Sequence, residues 1–440
     1  MSDQGILRIT REIKQLREGS DLSLAIDFRD DDLRSIRAMI VGPPETPYQF
    51  AFFEFSVKFG IDYPAQPPTV QALTTNKGRC RFNPNIYASG RVCLSILGTW
   101  QSHPGEQWSS AQGLESTLLS IQSLMSNNPY KNEPGYESAR SETDNQNMKD
   151  YVEKIQHESL RIAVIQPIET CLGISGAFGG ASSPNDDEDE ISPPGNTEST
   201  CESFLDLRKR RFLWYYESYM QTIDAEEPKN PPKRRFQKMP FEGFRNTMDG
   251  HFDYPELRRR LIAVNDKIIC ETKEWAAEGL TARDQELGIA VNLRHQYEQI
   301  SQELKDQKNF GISLELTNDN PFLWELTYFG RPMSHLDGGV FKFKIYLSPR
   351  FPGEQPRVFM DQAIFHVRVS KAGVVCYMPQ RVDDMRNHID AIVAAIDEES
   401  PPYDPRTNVN PEASKLFWGT PEDRKKYYRS LRRSIEKTWE

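Results

Sequence analysis

Two stretches of the chain alternate apolar and polar residues with period two. Phe53, Phe55, Val57 and Phe59 alternate with Glu54, Ser56 and Lys58, and Phe341, Phe343, Ile345 and Leu347 alternate with Lys342, Lys344 and Tyr346. That period predicts strands with one buried face. Ahead of each lies a helical pattern, Ile6, Ile9, Ile13 and Leu16 in the first half and Val291, Tyr297, Ile300 and Leu304 in the second. Each strand region runs into an aromatic-Pro step, Tyr63-Pro64 to Pro68 and Phe351-Pro352 to Pro356. The spacing between the halves is regular. Gly42 to Gly330, Tyr63 to Phe351 and Pro68 to Pro356 are each 288 apart, while Asn83 to His366, Gly90 to Gly373 and Cys93 to Cys376 are each 283 apart. Three anchors agree on each side of one five-residue deletion, which predicts two copies of one fold.

The intervening region has its own helices. Phe212, Leu213, Trp214, Tyr215, Tyr216 and Tyr219 give one an aromatic face, and Leu257, Leu261, Val264, Ile268 and Ile269 mark another. A helix through Ile389, Ile392, Val393 and Ile396 and a basic terminal helix from Glu422 to Glu440 complete the pattern. From Ile162 to Leu207 there is no Lys or Arg, and Asp186 to Glu190 is wholly acidic. Such a segment cannot bury enough apolar surface to offset chain entropy, so 166–205 is expected to be a disordered acidic linker. The domains expected are therefore 1–165, the linker 166–205, a helical extension 206–285 and a second domain 286–440.

The formal charge is −10, which argues against nucleic-acid or anionic-membrane binding as the main activity. No apolar run approaches the roughly 18–20 residues of a membrane span. Six sparse cysteines without a CxxC pair suit a reducing compartment better than a disulfide scaffold or zinc site. A soluble protein of the cytoplasm, the nucleus or both is the expectation.

The chemistry is carried by a run of ordered motifs. Gly42-Pro43-Pro44-Glu45-Thr46-Pro47-Tyr48 precedes the Tyr63-Pro64 step. Arg81-Phe82-Asn83-Pro84-Asn85-Ile86-Tyr87 then leads to Gly90-Arg91-Val92-Cys93-Leu94-Ser95-Ile96-Leu97. Trp108-Ser109-Ser110-Ala111 and Asn132-Glu133-Pro134-Gly135-Tyr136-Glu137 follow. Together these resemble the ubiquitin-conjugating enzymes, the last two being similar to that family's W-S-P-A segment and its acidic-Pro gate. Asn83 stands where the usual H-P-N triplet has His. With Gly98-Thr99-Trp100 and Gly250-His251-Phe252-Asp253-Tyr254, it resembles the long Z-type subfamily over about residues 1–280. The resemblance implies an α+β fold with two such domains, each an N-terminal helix, an antiparallel meander and C-terminal helices. It implies no metal and no cofactor on this chain.

The residues suit that reading. A carrier of an acyl group needs a thiol whose adduct is reactive, and Cys93 supplies one. Amine attack creates an oxyanion. Asn85, eight residues upstream, carries an uncharged donor for it, worth typically about 3 kcal/mol, or else props the turn. Asn132 and Glu133 are the candidates for assisting the incoming lysine. Arg8, Arg11 and Lys14 lie three apart on the first helix, and resemblance makes that face the docking site of an activating enzyme. Ala65 and Ser110 depart from the pattern of ligase-binding members. A Cys-His hydrolase would draw on His103 or His157, neither in a protease-like signature.

The second copy keeps Cys376 but puts Phe365-His366-Val367-Arg368 at the triplet and Tyr377-Met378-Pro379-Gln380 after the cysteine. An oxyanion donor is missing, so this copy is expected to bind rather than transfer, with Cys376 a possible second site. The expected partners are ubiquitin or a ubiquitin-like protein, its activating enzyme, a ligase and a protein substrate. The alternatives are a non-catalytic ubiquitin-binding scaffold and a nuclear adaptor.

Overall fold

The computed structural model describes residues 2–19, 21–100, 105, 107–174, 203–243, 248–307 and 310–439. The acidic run Asp186 to Glu190 and His103 lie outside them. Helix α1 (Ser2–Glu18) leads into a meander of β1 (Leu24–Arg29), β2 (Asp32–Val41), β3 (Phe52–Lys58) and β4 (Thr69–Ala72). The four strands pair antiparallel in chain order. Helices α2 (Leu114–Ser123), α3 (Glu142–Glu158) and α4 (Gln166–Leu172) follow, then α5 (Leu205–Glu226), α6 (Tyr254–Asp284) and α7 (Gly288–Asp306). A second meander, β5 (Ile312–Leu316), β6 (Leu323–Phe329), β7 (Val340–Tyr346) and β8 (Arg357–Met360), precedes α8 (Met385–Asp397), α9 (Pro411–Phe417) and α10 (Pro421–Glu436).

The repeat holds at the level of the backbone. Strands β3 and β7 begin and end 288 residues apart, as do β4 and β8. Past the deletion, the bridges Asn83 to Ile86 and Ile86 to Val92 recur as His366 to Val369 and Val369 to Val375. Gly90 and Gly373 both turn with positive φ, +86° and +82°. A Cβ on them would lie 2.5 Å from the Ala72 carbonyl oxygen and 2.4 Å from that of Met360. Only glycine meets both demands, so the turn before each cysteine is pinned to the fourth strand of its own sheet. The Tyr63–Pro64 and Phe351–Pro352 peptide bonds are both cis.

The predicted strand faces are the buried ones, with one exception. In β7, Phe341, Phe343 and Ile345 point inward while Lys342 is exposed. In β3, Glu54 on the outer face is buried as well. Arg208 at the start of α5 covers it as an ion pair, and Arg37 from β2 lies 3.3 Å away. Burial, with Arg37 nearby, lowers the Arg208 pKa to about 10. In α7 the buried stripe is Ala290, Leu293, Ile300 and Leu304 with Tyr297 beside it, and Val291 is exposed. Positions 290, 293, 297, 300 and 304 follow the three-four rhythm of a helix face, and 291 is a step off it.

The chain forms two compact units, Met1–Arg208 with Ile223–Leu261, and Lys209–Thr222 with Ile262–Glu440. The extension expected at 206–285 is thus divided between the two and is not a body of its own. The boundary expected at 165 also shifts. Helix α3 continues through a wider π winding over Ser159–Ile165 into α4. In α4, Ile168 is buried and Glu169 accepts from Arg260 at 2.9 and 2.6 Å. The first seven residues assigned to the linker are therefore packed helix. Cys171 is disulfide-bonded, although the cysteine spacing predicted no pairing.

Candidate active site

The site is a short turn hung from β4. Tyr87 N–H donates to the Arg91 carbonyl at 2.9 Å, and Ala72 N–H to the Gly90 carbonyl at 2.7 Å. Cys93 follows this turn with its backbone fully engaged. Its N–H donates to the Asn85 carbonyl at 2.8 Å, and its own carbonyl accepts from the Asn85 side-chain amide at 3.1 Å. The Thr99 hydroxyl donates to the Val92 carbonyl at 2.7 Å and accepts from Leu94 N–H at 2.9 Å. The peptide groups on both sides of the cysteine are therefore stapled by one side chain.

Asn83 organises the triplet. It is fully buried. Its Oδ1 accepts from Asn85 N–H at 2.9 Å, and its Nδ2 donates to the Leu124 carbonyl at 2.8 Å and the Tyr48 hydroxyl at 3.1 Å. Asn132 joins this node, donating to the Leu124 carbonyl at 2.8 Å and to Asn83 Oδ1 at 3.4 Å. The amide of Asn132 is thus engaged in holding the triplet rather than directed at the thiol. Asn85 has an amide N–H committed to Cys93 and a buried Oδ1 with no partner among the described residues. Its second N–H makes no hydrogen bond among the described residues.

Glu133 is held by Arg81 at 3.0 Å. Burial raises its carboxyl above the ordinary range, against the pull of Arg81. Arg81 is itself buried, donates to the Pro84 carbonyl at 2.6 Å and stacks 4.8 Å from the Tyr87 ring centroid. The Cys93 sulfur lies near Tyr87, and burial, followed by that sulfur, pushes the Tyr87 phenol up. Arg81, Glu133, Tyr87 and Cys93 so form one connected group. Cys93 is only 2% exposed, whereas its neighbour Tyr87 is half-buried. Sequence reasoning named Cys93, Asn85 and Glu133 but missed Arg81, Tyr87 and Thr99. Arg81 and Tyr87 flank the triplet, and Thr99 belongs to the Gly-Thr-Trp signature, so proximity to these motifs was the available signal.

The basic face of α1 is divided. Arg8 turns inward to pair with Glu12, which also accepts from the Tyr63 hydroxyl at 2.6 Å and Leu114 N–H at 3.0 Å. Arg11 and Lys14 are exposed. Trp108 donates to the Pro64 carbonyl at 2.8 Å. His157 is buried, accepting from Asp253 N–H at Nε2 and facing Glu158 at Nδ1, both at 3.0 Å. It lies within the packing of α3, not in the catalytic turn.

The sequence profile described as ubiquitin-conjugating enzyme matches residues 8–159 and again 293–393, more than half of the chain. The chain belongs to the ubiquitin-conjugating enzyme family. It is 36% identical over 273 residues to ubiquitin-conjugating enzyme E2 Z of Xenopus tropicalis, covering 61% of this chain and 73% of that protein. The Danio rerio protein of the same name is 37% identical over 267 residues, 61% of this chain and 70% of the relative. The human dual E2 ubiquitin-conjugating enzyme/E3 ubiquitin-protein ligase BIRC6 is 39% identical over 152 residues, 34% of this chain and 3% of that one. A solved structure of human ubiquitin-conjugating enzyme E2 G1 matches 28% of this chain and 97% of its own at 28% identity, with a TM-score of 0.25. The first copy is thus a Z-type conjugating domain, and the second is a further domain of the family.

In that second conjugating domain the backbone cradle persists around different side chains. Cys376 N–H donates to the Arg368 carbonyl at 2.9 Å, and Arg368 N–H donates to His366 Nδ1 at 3.1 Å. Burial, with His335 and Arg368 nearby, drops His366 to about 3, so the ring is neutral and can accept. Arg368 donates to the Thr407 carbonyl at 3.2 Å. Cys376 is 0% exposed, and burial pushes its thiol up against the opposing pull of Arg368 and Arg211. Arg210, Leu213 and Trp214 of α5 line one cavity with Val374, Val375 and Tyr377, the residues flanking Cys376.

Proposed function

We propose that Cys93 carries ubiquitin or a ubiquitin-like protein as a thioester and passes it to a substrate lysine. The observation that carries this is the cradle of Cys93, held at its N–H and carbonyl by Asn85 in a chain of this family. In charging, the Cys93 thiolate takes the modifier's C-terminal acyl group from the activating enzyme, whose own thiolate leaves. In transfer, the lysine nitrogen forms the new C–N bond, the C–S bond breaks, and Cys93 leaves as thiolate. The free N–H of Asn85 suits the oxyanion between these two states. A lysine with an unperturbed pKa near 10.4 must also lose a proton. We assign this step to Glu133, whose carboxyl burial raises above its ordinary value.

The partner classes that come with the family are ubiquitin, an activating enzyme and a ligase. For the activating enzyme, the exposed Arg11 and Lys14 on α1 are the proposed contacts, with Arg8 serving α1 internally. The second domain binds rather than transfers. Its cysteine lies under a helix, and an arginine replaces the asparagine donor.

One observation favours the alternative of a ubiquitin-binding scaffold, namely the 2% exposure of Cys93. Against it, Cys93 has the half-buried Tyr87 as a neighbour, whereas Cys376 is 0% exposed. Incubating the full chain with an activating enzyme, ATP and ubiquitin decides between the two. A reductant-sensitive adduct lost in Cys93→Ala and kept in Cys376→Ala is expected. No adduct with any activating enzyme would establish the scaffold, and loss only in Cys376→Ala would reverse the assignment.

A further inference from the structure

The extension that follows the first conjugating domain places one ring against the catalytic machinery. Met239-Pro240-Phe241-Glu242 is a tight turn, with Glu242 N–H donating to the Met239 carbonyl at 3.0 Å and Pro at the position that favours it. The Glu242 carboxylate returns to accept from Met239 N–H at 3.0 Å and from the buried Lys154 ammonium at 2.6 Å. Lys154 also donates to the Gln237 carbonyl at 3.0 Å. A turn anchored by a buried ion pair has little freedom, and what it presents is Phe241.

The Phe241 ring stands among three tyrosines, with centroids 5.3 Å from Tyr130, 5.7 Å from Tyr136 and 5.5 Å from Tyr151. Tyr130 and Tyr136 flank Glu133 by three residues on either side. The fourth neighbour is the Arg81 guanidinium, 5.6 Å from the Phe241 centroid. This is the cation that holds Glu133, the Pro84 carbonyl next to Asn85, and the ring of Tyr87 near Cys93. Phe241 therefore contacts both the loop that carries the proton acceptor and the cation that fixes its side chain.

We propose that Phe241 is a positioning residue for transfer, acting through Arg81 and the Tyr130–Tyr136 loop to hold Glu133 where an incoming lysine needs it. The inference rests on the reading of Cys93 as the carrier and Glu133 as the proton acceptor. It gives the extension a role in the acceptor step and none in charging. Removing the ring loosens the loop and leaves the Cys93 cradle, built by Asn85 and Thr99, intact.

The test uses the full chain charged with ubiquitin, followed by single-turnover discharge onto free lysine between pH 6 and 9. Phe241→Ala is expected to slow discharge about ten-fold, the scale of a small misplacement of a catalytic group. Charging should change less than two-fold, and Phe241→Leu should recover part of the loss. The deciding readout is a cycle with Glu133→Gln. In that background the Phe241→Ala effect should shrink below two-fold and the pH dependence it altered should be absent. An equal effect in both backgrounds, or discharge and charging falling together with thermal stability, would mean that the ring only supports the fold. Should Phe241→Ala fail to fold, Phe241→Leu carries the same cycle at smaller amplitude. A parent chain that takes up no ubiquitin sinks the carrier reading itself. A charged Phe241→Ala that discharges at the parental rate sinks only this inference.

Discussion

Lys154 and Glu242 form an ion pair with side chains 0% and 2% exposed, and this makes a sharp prediction about stability. Burial lowers the Lys154 pKa, and Glu242 pulls it back up, so each charge is tolerated because of the other. Replacing Lys154 by Met fills its space but leaves a buried carboxylate facing the Met239 N–H alone. Breaking a buried pair in this way costs about 3–5 kcal/mol. For a unit of this size, at roughly 2–4 °C per kcal/mol, the melting point should fall by about 10 °C. Replacing both partners by Met removes both desolvation costs and orphans the Met239 N–H and the Gln237 carbonyl. The double variant should therefore be more stable than Lys154→Met, with a coupling of about 2 kcal/mol or more. Urea unfolding followed by far-UV circular dichroism measures all three. A Lys154→Met loss below about 1 kcal/mol, or a double variant equal to the sum of the singles, would refute the reasoning.

Other outcomes follow from the same contacts. With Cys93 2% exposed and Tyr87 its neighbour, iodoacetamide should label Cys93 slowly in the native chain and several-fold faster in Tyr87→Ala, read by peptide mass spectrometry. The exposed Cys270 serves as the internal standard and the buried Cys376 should stay unlabelled. Equal Cys93 labelling in both proteins would remove Tyr87 as the cover. Thr99→Val orphans the Val92 carbonyl and Leu94 N–H, costing about 1–3 kcal/mol, and should slow charging, with Thr99→Ser restoring it. A Thr99→Val that charges like the parent would show that the staple is dispensable. For Glu158, burial acts to raise its carboxyl, but Arg161 and His157 prevail and hold it at about 2, below the ordinary 4.5. A depressed folded pKa stabilises above the unfolded value. Stability should thus fall by about 3 kcal/mol as pH drops from about 5 to 2. Glu158→Gln should flatten that slope, and an unchanged slope would contradict it.

The parts of this protein legible from its residues are those set by local pattern. The two sheets follow from alternation at Phe53–Phe59 and Phe341–Leu347, and the duplication follows from constant offsets. The site was legible as far as it is contiguous, since Asn85 and Cys93 close one turn. What escaped depends on partners distant in the chain. Glu54 reads as an outer, solvated position until Arg208 covers it, and Arg8 reads as a surface cation until Glu12 claims it. Asn132 sits in the gate motif, yet its amide is spent on Leu124 and Asn83. Phe241 is one aromatic in a polar stretch, and only the fold brings it 160 residues back to Arg81. Val291 differs for a local reason, being one exposed apolar residue that adjoins the buried helical stripe.

The two compact units alternate along the chain, because Lys209–Thr222 belongs to the second while Ile223–Leu261 returns to the first. Synthesis on the ribosome must therefore produce a piece of the second unit before the first has received its last segment. The first unit cannot close until residue 261 has emerged, and the middle of α5 must wait for the following 179 residues to supply the rest of its core. Domain-by-domain folding, the usual route for long chains, is thereby delayed, the first unit to residue 261 and the second until the segments on either side of 223–261 have met. Expressing 286–440 alone would omit Trp214, Tyr215 and Trp275 from the interior they fill, so a separately soluble second half has to be built from both stretches of sequence.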